Sequence, residues 1–438
     1  MQAILFSPDL PVPIAFCNGQ VFNLVQYMTG KQRFTIILIL GTLSTISPFS
    51  IDMYLPAFPA IALDLNTSID QIQLSLTSYL VGISLGQLLY GPLLDRFGRK
   101  YPLYAGLVVY LFASIGCALT TSVESLIVMR FLQAIGGCAG MVAAQALVRD
   151  LFPVNQTAKV FSLLVLVIAV SPMIAPTVGG YVTAIFGWHS IFIILALITG
   201  FILWGIYYAL PEGKTRDDTI SLKPKPVLKN FFTVLKQPQF LVYALVGGIA
   251  SSAPFAFISG SPHVFMNIYK VNEQQYGWIF AFLAFAMIGS SQLNHILLKR
   301  YTSEQLIYTA LIYQNVIGGI LVAGTYFGWF GQYSLILLMF IFLTGQGLAS
   351  PNASALALAP FTKHAGSASA LMGSFRMSIG AMVSAAVSIW HDNSALPMVG
   401  VMAICAVCGL IFLLIGRRSI AYQASQANVE ETAPNIVI

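Results

Sequence analysis

Residues 211–237 read PEGKTRDDTISLKPKPVLKNFFTVLKQ. The stretch is polar, basic and proline-bearing, and it interrupts a chain that is otherwise almost continuously apolar. Only 8% of the 438 residues are charged and 57% are hydrophobic, with a mean hydropathy of +0.81. An average soluble protein carries about 25% charge. A soluble enzyme, a disordered chain and a nucleic-acid binder are therefore excluded. The apolar residues run on for about twenty positions without alternating, which favours membrane helices over a β-barrel.

Working outward from the polar stretch, the sequence predicts six spans on each side. They cover residues 34–58, 70–91, 102–120, 125–148, 158–184 and 190–210, then 239–268, 276–298, 304–326, 333–358, 366–390 and 397–416. The expected fold is an all-α membrane protein with twelve transmembrane helices in two six-helix halves, 34–210 and 239–416. The remaining segments are an N-terminal extension (1–33), a linker (211–238) and a tail (417–438). A weak internal repeat agrees with duplicated halves. Ala144-Gln145-Ala146-Leu147 with Phe152 aligns with Ala353-Ser354-Ala355-Leu356 and Phe361, and Gln87-Leu88 aligns with Gln292-Leu293.

Orientation follows from Lys and Arg. With the N-terminus inside, every basic residue except Lys270, Arg130 and Arg376 falls on the cytoplasmic side, so both termini are expected there. Residues 1–30 lack the pattern of a cleavable signal. Met28 precedes the first apolar run as a natural start would, so residues 1–27 are expected to be dispensable. Cys405-x-x-Cys408 lies in an apolar run and reads as packing. No metal site and no cofactor are expected.

A charge at the centre of a membrane helix costs about 2.5–3.5 kcal/mol on insertion scales, so each one demands a reason. Asp52 is the only acidic residue well inside a predicted span, and Arg130 and Arg376 are the only basic ones. Asp52 lies about 27 Å along the first helix and Arg130 about 8 Å into the fourth, which enters from outside. Both then sit at similar depth in the outer half of the bilayer, where they could pair or share water. Burial favours a neutral carboxyl and a nearby guanidinium favours an ionised one. Balanced, the two leave Asp52 able to carry a proton; the alternative is a static ion pair tying two helices. Arg376 has no evident acidic partner, and its role stays open between a cavity lining and a backbone contact.

Between the second and third helices stands Gly91-Pro92-Leu93-Leu94-Asp95-Arg96-Phe97-Gly98-Arg99-Lys100. Its glycines permit a tight turn, and Asp95 suits a helix N-terminus, where negative charge is favoured. The string closely resembles motif A of the major facilitator superfamily. Arg130-Phe131-Leu132-Gln133-Ala134-Ile135-Gly136 resembles motif B. Ser171-Pro172-Met173-Ile174-Ala175-Pro176-Thr177-Val178-Gly179-Gly180 resembles motif C, the antiporter element, with Ala175 where the wider family has Gly. Asp52-Met53-Tyr54-Leu55-Pro56-Ala57-Phe58-Pro59, Phe255-Ala256-Phe257-Ile258-Ser259-Gly260-Ser261-Pro262, and Pro351-Asn352-Ala353-Ser354-Ala355-Leu356 with Gly366-Ser367-Ala368-Ser369-Ala370-Leu371 are similar to the Bcr/CflA drug:proton antiporters. The resemblance covers about residues 30–416.

The resemblance implies the major facilitator fold and multidrug efflux by alternating access in a bacterial inner membrane, with cytoplasmic drug exchanged for a periplasmic proton. It makes Asp52 the proton-coupled acid and Arg130 its buried basic partner. Gly91, Asp95, Arg96, Gly98 and Arg99 form a cytoplasmic latch, with Asp95 near Gly366 and Arg149 close by. In motif C, Pro172 and Pro176 remove backbone donors and bend the helix, while Gly179 and Gly180 permit close helix approach; generic close packing is the plainer reading. Asp52, Met53, Tyr54, Met141, Gln145, Phe255 and Phe257 are candidate substrate contacts, because aromatic and Met side chains adapt to varied apolar ligands. The expected partners are small lipophilic drug-like substrates, protons and the lipid bilayer, with no nucleic acid, and the chain is expected to be a monomer. A dedicated exporter of a metabolite or siderophore fits the same scaffold. An uptake symporter is disfavoured by motif C, and a membrane enzyme by the lack of H-x-x-x-H, G-x-S-x-G or clustered carboxylates within spans.

Overall fold

The structure is a computed structural model that describes residues 29–213, 216–217, 224–361, 365–390 and 392–432. Residues 1–27, expected to be dispensable, lie outside them. Among the described residues there are twelve helices long and apolar enough to cross a membrane, and no strand. They are α1 (Gly30–Asp64), α2 (Ile69–Phe97), α3 (Lys100–Ala118), α4 (Val123–Leu151), α5 (Lys159–Phe186) and α6 (His189–Ala209). After the linker come α7 (Pro238–Ile268), α8 (Glu273–Leu297), α9 (Ser303–Tyr326), α10 (Gln332–Leu358), α11 (Gly366–Ile389) and α12 (Leu396–Arg418). Even α3, at 19 residues, reaches about 28 Å by the helical rise, close to the ~30 Å hydrocarbon thickness. A short amphipathic helix, Pro224–Leu235, lies in the linker. The helix of α12 runs on to Thr432, into the expected tail.

Local chemistry sets the ends. Ser68 and Ser122 cap α2 and α4 through their hydroxyls, and Thr29 and Thr302 form capping boxes with Gln32 and Gln305, satisfying backbone N–H groups that the first turn leaves free. Two spans are broken internally. The helix of α1 stops at Asp52, turns, and resumes through a 3-10 turn at Leu55–Ala57 and a helix at Phe58–Asp64. That of α7 breaks at Ser251-Ser252 and finishes as a π-helical turn, Pro262–Ile268. Pro56, Pro59, Pro254 and Pro262 lack the N–H that a continuing helix would use.

The described residues form two compact units. The first joins the chain through Val227 with Ser261–Ala284; the second joins Leu228–Gly260 with Phe285 onward. In the first, α4 is central and packs against α2, α3 and α1. Gly136 lets α4 approach α3: a Cβ there would sit 2.5 Å from the Tyr110 nitrogen and 2.6 Å from the Gly106 carbonyl oxygen. Small residues at such crossings are how membrane helices gain dispersion contacts where no hydrophobic force drives them together. In the second unit, α7 packs against α10, α11 and α12. At one end, Glu304 of α9 accepts hydrogen bonds from Tyr243 of α7 and from Arg417 of α12, the latter at 3.2 Å. Phe112, Phe201 and Ile185 are exposed, as lipid-facing side chains are.

Two expectations about motif A are corrected. The second helix does not end near residue 91. It continues through Gly91 and Pro92 to Phe97, and the turn is made by Gly98 alone, at φ 79°. Asp95 therefore lies in the last turn of α2, not at a helix N-terminus. Pro92 did not stop the helix because a proline inside a membrane helix is tolerated when neighbours satisfy the freed carbonyl.

Gly136→Ala has no room, since both facing atoms are backbone. It is expected to lower the apparent melting temperature of the detergent-solubilised protein, at a cost of about 1–3 kcal/mol. Gly319→Ala, with nothing within 4 Å, should leave the melting temperature unchanged or slightly raised.

Candidate functional site

The break in α1 exposes the backbone carbonyl of Ser50, which a continuing helix would have bonded to the nitrogen of Tyr54. Arg130 takes it: Nη2 donates to the Ser50 oxygen at 2.9 Å, and Nη1 donates to Gln133 Oε1 at 2.5 Å. A guanidinium at the carboxyl end of a helical segment also meets the negative end of its dipole. Arg130 is fully buried. Its guanidinium carbon lies 4.2 Å from the Tyr79 ring centre, 4.6 Å from Tyr54 and 5.7 Å from Phe192. Tyr54 is held in place by its hydroxyl bond to Ser75 at 2.8 Å. The polar chain continues from Gln133 Nε2 to Ser114 Oγ at 2.8 Å, and from Ser114 Oγ to the Tyr110 carbonyl at 2.7 Å. Because Ser50 Oγ donates to Ile46, the Tyr110 hydroxyl is the donor in its 2.5 Å bond to Ser50. One network thus joins α1, α3 and α4.

Asp52 closes the first helical segment of α1 and is buried. Among the described residues it forms no ion pair and no hydrogen bond through its carboxyl group, and Arg130 is not its partner. Motif C packs on this same break. A Cβ at Gly179 would overlap the Met53 carbonyl, and one at Gly180 the Glu273 carbonyl. From the other side, a Cβ at Gly277 of α8 would lie 2.7 Å from Thr177 Cα and 3.0 Å from the Pro176 carbonyl oxygen. Pro172 and Pro176 lie inside an uninterrupted helix, Val154–Phe186.

The motif A residues assemble at the far end of α2. Arg99 Nη1 donates to Asp95 Oδ1 at 2.8 Å, while Nε and Nη2 donate to the two oxygens of Asp150 at 2.6 and 3.3 Å. Burial works against the charge on Arg99, but the hydrogen bonds and charges of Asp150 and Asp95 outweigh it and hold the guanidinium above its ordinary range. The first linker residues seat on this pair: Gly213 packs against Arg99 and Asp150, and the Asp217 N–H bonds to the Arg96 carbonyl at 3.0 Å. Arg96 faces the Phe97 ring and Arg149 the Phe161 ring, each at 5.9 Å. Gly91 is helical with open space beside it.

Of the candidate substrate contacts, Met53 and Tyr54 are buried beside Arg130's break, Met141 is half-buried and Gln145 is exposed. Phe255 and Phe257 are buried, Phe255 against Gly380. The sequence reading missed Tyr79, Tyr110, Ser114 and Asp150. Asp150 was within reach: it stands beside Arg149 and is the only carboxylate near the end of α4.

A buried arginine and an unpaired buried carboxyl at a helix break in a twelve-span chain have the build of a membrane transporter. The sequence matches the Major Facilitator Superfamily over residues 40–385, and the chain belongs to that superfamily as a multi-pass membrane protein. It is 33% identical to the bicyclomycin resistance protein homolog of Haemophilus influenzae over 381 residues, covering 87% of this chain and 96% of that one. It is 31% identical to the chloramphenicol resistance protein of Pseudomonas aeruginosa, covering 83% and 86%. These relatives place it with the Bcr/CflA type. A D-xylose–proton symporter crystal structure superposes with a TM-score of 0.68 at 15% identity, covering 87% of this chain and 97% of that one; it shares the fold.

Asp150→Ala would leave Arg99 buried with only the half-exposed Asp95. Breaking a buried pair costs about 3–5 kcal/mol, so thermal unfolding should shift down clearly. Arg149→Ala, at a ring contact only, should shift it by less than a third as much.

Proposed function

We propose that this protein exports small lipophilic drug-like molecules from the cytoplasm in exchange for protons, by alternating access of its two six-helix halves. The carrying observation is the state of Asp52. Its carboxyl is buried at a helix break and unpaired, while Arg130 is held instead by the Ser50 carbonyl, Gln133 and three aromatic rings. A carboxyl in a salt bridge would be locked ionised; an unpaired one is free to load and release a proton. Arg130 then acts as a fixed positive charge that holds the break in shape.

In the proposed cycle, drug binds from the cytoplasm with Asp52 ionised. The protein turns outward, a periplasmic proton neutralises Asp52 and the drug leaves. Each proton gains about 2.3 kcal/mol per 100 mV and about 1.36 kcal/mol per pH unit; 100 mV and one pH unit together sustain a gradient of a neutral solute of roughly several hundredfold. Motif C, packed on the Met53 carbonyl, supports this by closing the break against leak. The Asp95–Arg99–Asp150 cluster serves as the cytoplasmic latch. The distribution of Lys and Arg supports cytoplasmic termini, and the bacterial relatives support an inner-membrane location. The names of the relatives favour drugs as cargo; a dedicated metabolite or siderophore exporter is the second reading on the same scaffold.

Asp52→Asn should abolish proton-driven chloramphenicol accumulation in inverted membrane vesicles while leaving the purified protein folded and able to bind drug. Accumulation driven by a pH gradient at more than a tenth of the wild-type rate would refute the role of Asp52. Arg130→Lys keeps the charge but loses the planar stacking and the forked bonding, and should cut transport at least tenfold.

A further inference from the structure

The second intramembrane arginine differs from Arg130 in every respect. Arg376 stands close to the middle of α11, whose span runs Gly366–Ile389. It is exposed, and among the described residues it has no carboxylate, hydrogen-bond acceptor or aromatic ring as a partner. Its position on the helix shows what it is exposed to. Met382 and Ile389 are 63% and 78% exposed and mark the lipid side of α11. Arg376 lies about 120° around the helix from Met382. Its own face is buried one, two and three turns further on, at Gly380, Val383 and Val387. Gly380 lies under the Phe255 ring, and Val387 meets Gly260. Toward the start of α11 the same face opens, with Ser369, Met372 and Gly373 half-buried. Arg376 thus lies on the protein-facing side of α11 at mid-membrane depth and is nevertheless exposed. An intramembrane cation of this kind faces a water-filled cavity and marks a path for ligand or ion. The absence of an internal counter-charge means that an anion arriving from outside is its natural partner, bound by two parallel charge-assisted hydrogen bonds.

We infer that Arg376 is a substrate-recognition residue for small organic anions, so that the exported molecules include amphiphiles carrying a carboxylate or similar acidic group. This rests on the export reading above. It extends that reading from neutral lipophilic compounds to acids whose apolar part packs on Met372 and its neighbours.

The test uses the full chain, purified, with salicylate as the anionic probe and chloramphenicol as the neutral one. Wild type should bind both. Arg376→Gln should weaken salicylate binding by about tenfold or more while chloramphenicol stays within about twofold, as expected when one charge-assisted contact is lost. Arg376→Lys, which keeps the charge but loses the forked pair, should weaken salicylate binding less than Arg376→Gln does. Absence of salicylate binding by wild type, unchanged salicylate binding in Arg376→Gln, or an equal fall for both probes overturns the inference. A measurement on wild type alone guards against a variant that fails to fold. Phenylglyoxal should modify Arg376 and not the buried Arg130, with salicylate slowing the modification, as read by peptide mass spectrometry; no protection also overturns it. Chloramphenicol transport by wild type, scored separately, decides the export reading whatever the salicylate result.

Discussion

Burying Arg130 is the constraint around which the first unit is built. Inserting the charge costs about 3 kcal/mol or more. Two charge-assisted hydrogen bonds contribute about 1.5–3 kcal/mol each, and each ring face adds about 0.5–2. Both hydrogen bonds are required to meet that cost, and the rings add the margin. That requirement fixes the break in α1, because without it the Ser50 carbonyl would be spent inside the helix. It also fixes where α3 and α4 lie, through Gln133, Ser114 and Tyr110. Asp52 inherits its setting from this arrangement: it closes the helical segment whose end Arg130 holds, and it is buried without pairing to Arg130.

The same break organises this end of the unit. Motif C does more than offer small residues to a neighbour. Its two glycines stand against backbone carbonyls, that of Met53 on one side and that of Glu273 on the other. A backbone atom cannot swing away as a side chain can, so these positions admit no larger residue without moving a helix. The element that carries the acid and the one that carries the motif are therefore in direct backbone contact.

The spans were legible because a long apolar run at 1.5 Å per residue has few alternatives in a membrane. The α8 and α9 boundaries illustrate it, falling within three residues of their expected places. The extent of α2 was not legible, because Gly91-Pro92 carries the same composition whether a helix ends or a neighbour supports it. The partners of Arg130 were hidden for a different reason. Tyr54, Tyr79 and Phe192 come from three helices, and only packing brings them together. Arg149 against Asp150 shows the finest limit: adjacent residues on a helix point about 100° apart, and only the structure says which faces Arg99.

The seating of Gly213 on the Arg99–Asp150 pair, and of Asp217 on the Arg96 carbonyl, bears on where the first unit ends. The covalent bridge does not start where α6 ends at Ala209 but some eight residues later. Gly213 and Asp217 pack with the first unit, Gly213 against the ion cluster itself. Were the polypeptide severed into two separately made fragments, the cut that respects this anatomy would fall after Asp217, and one placed at residue 210 would strip the cluster of its roof.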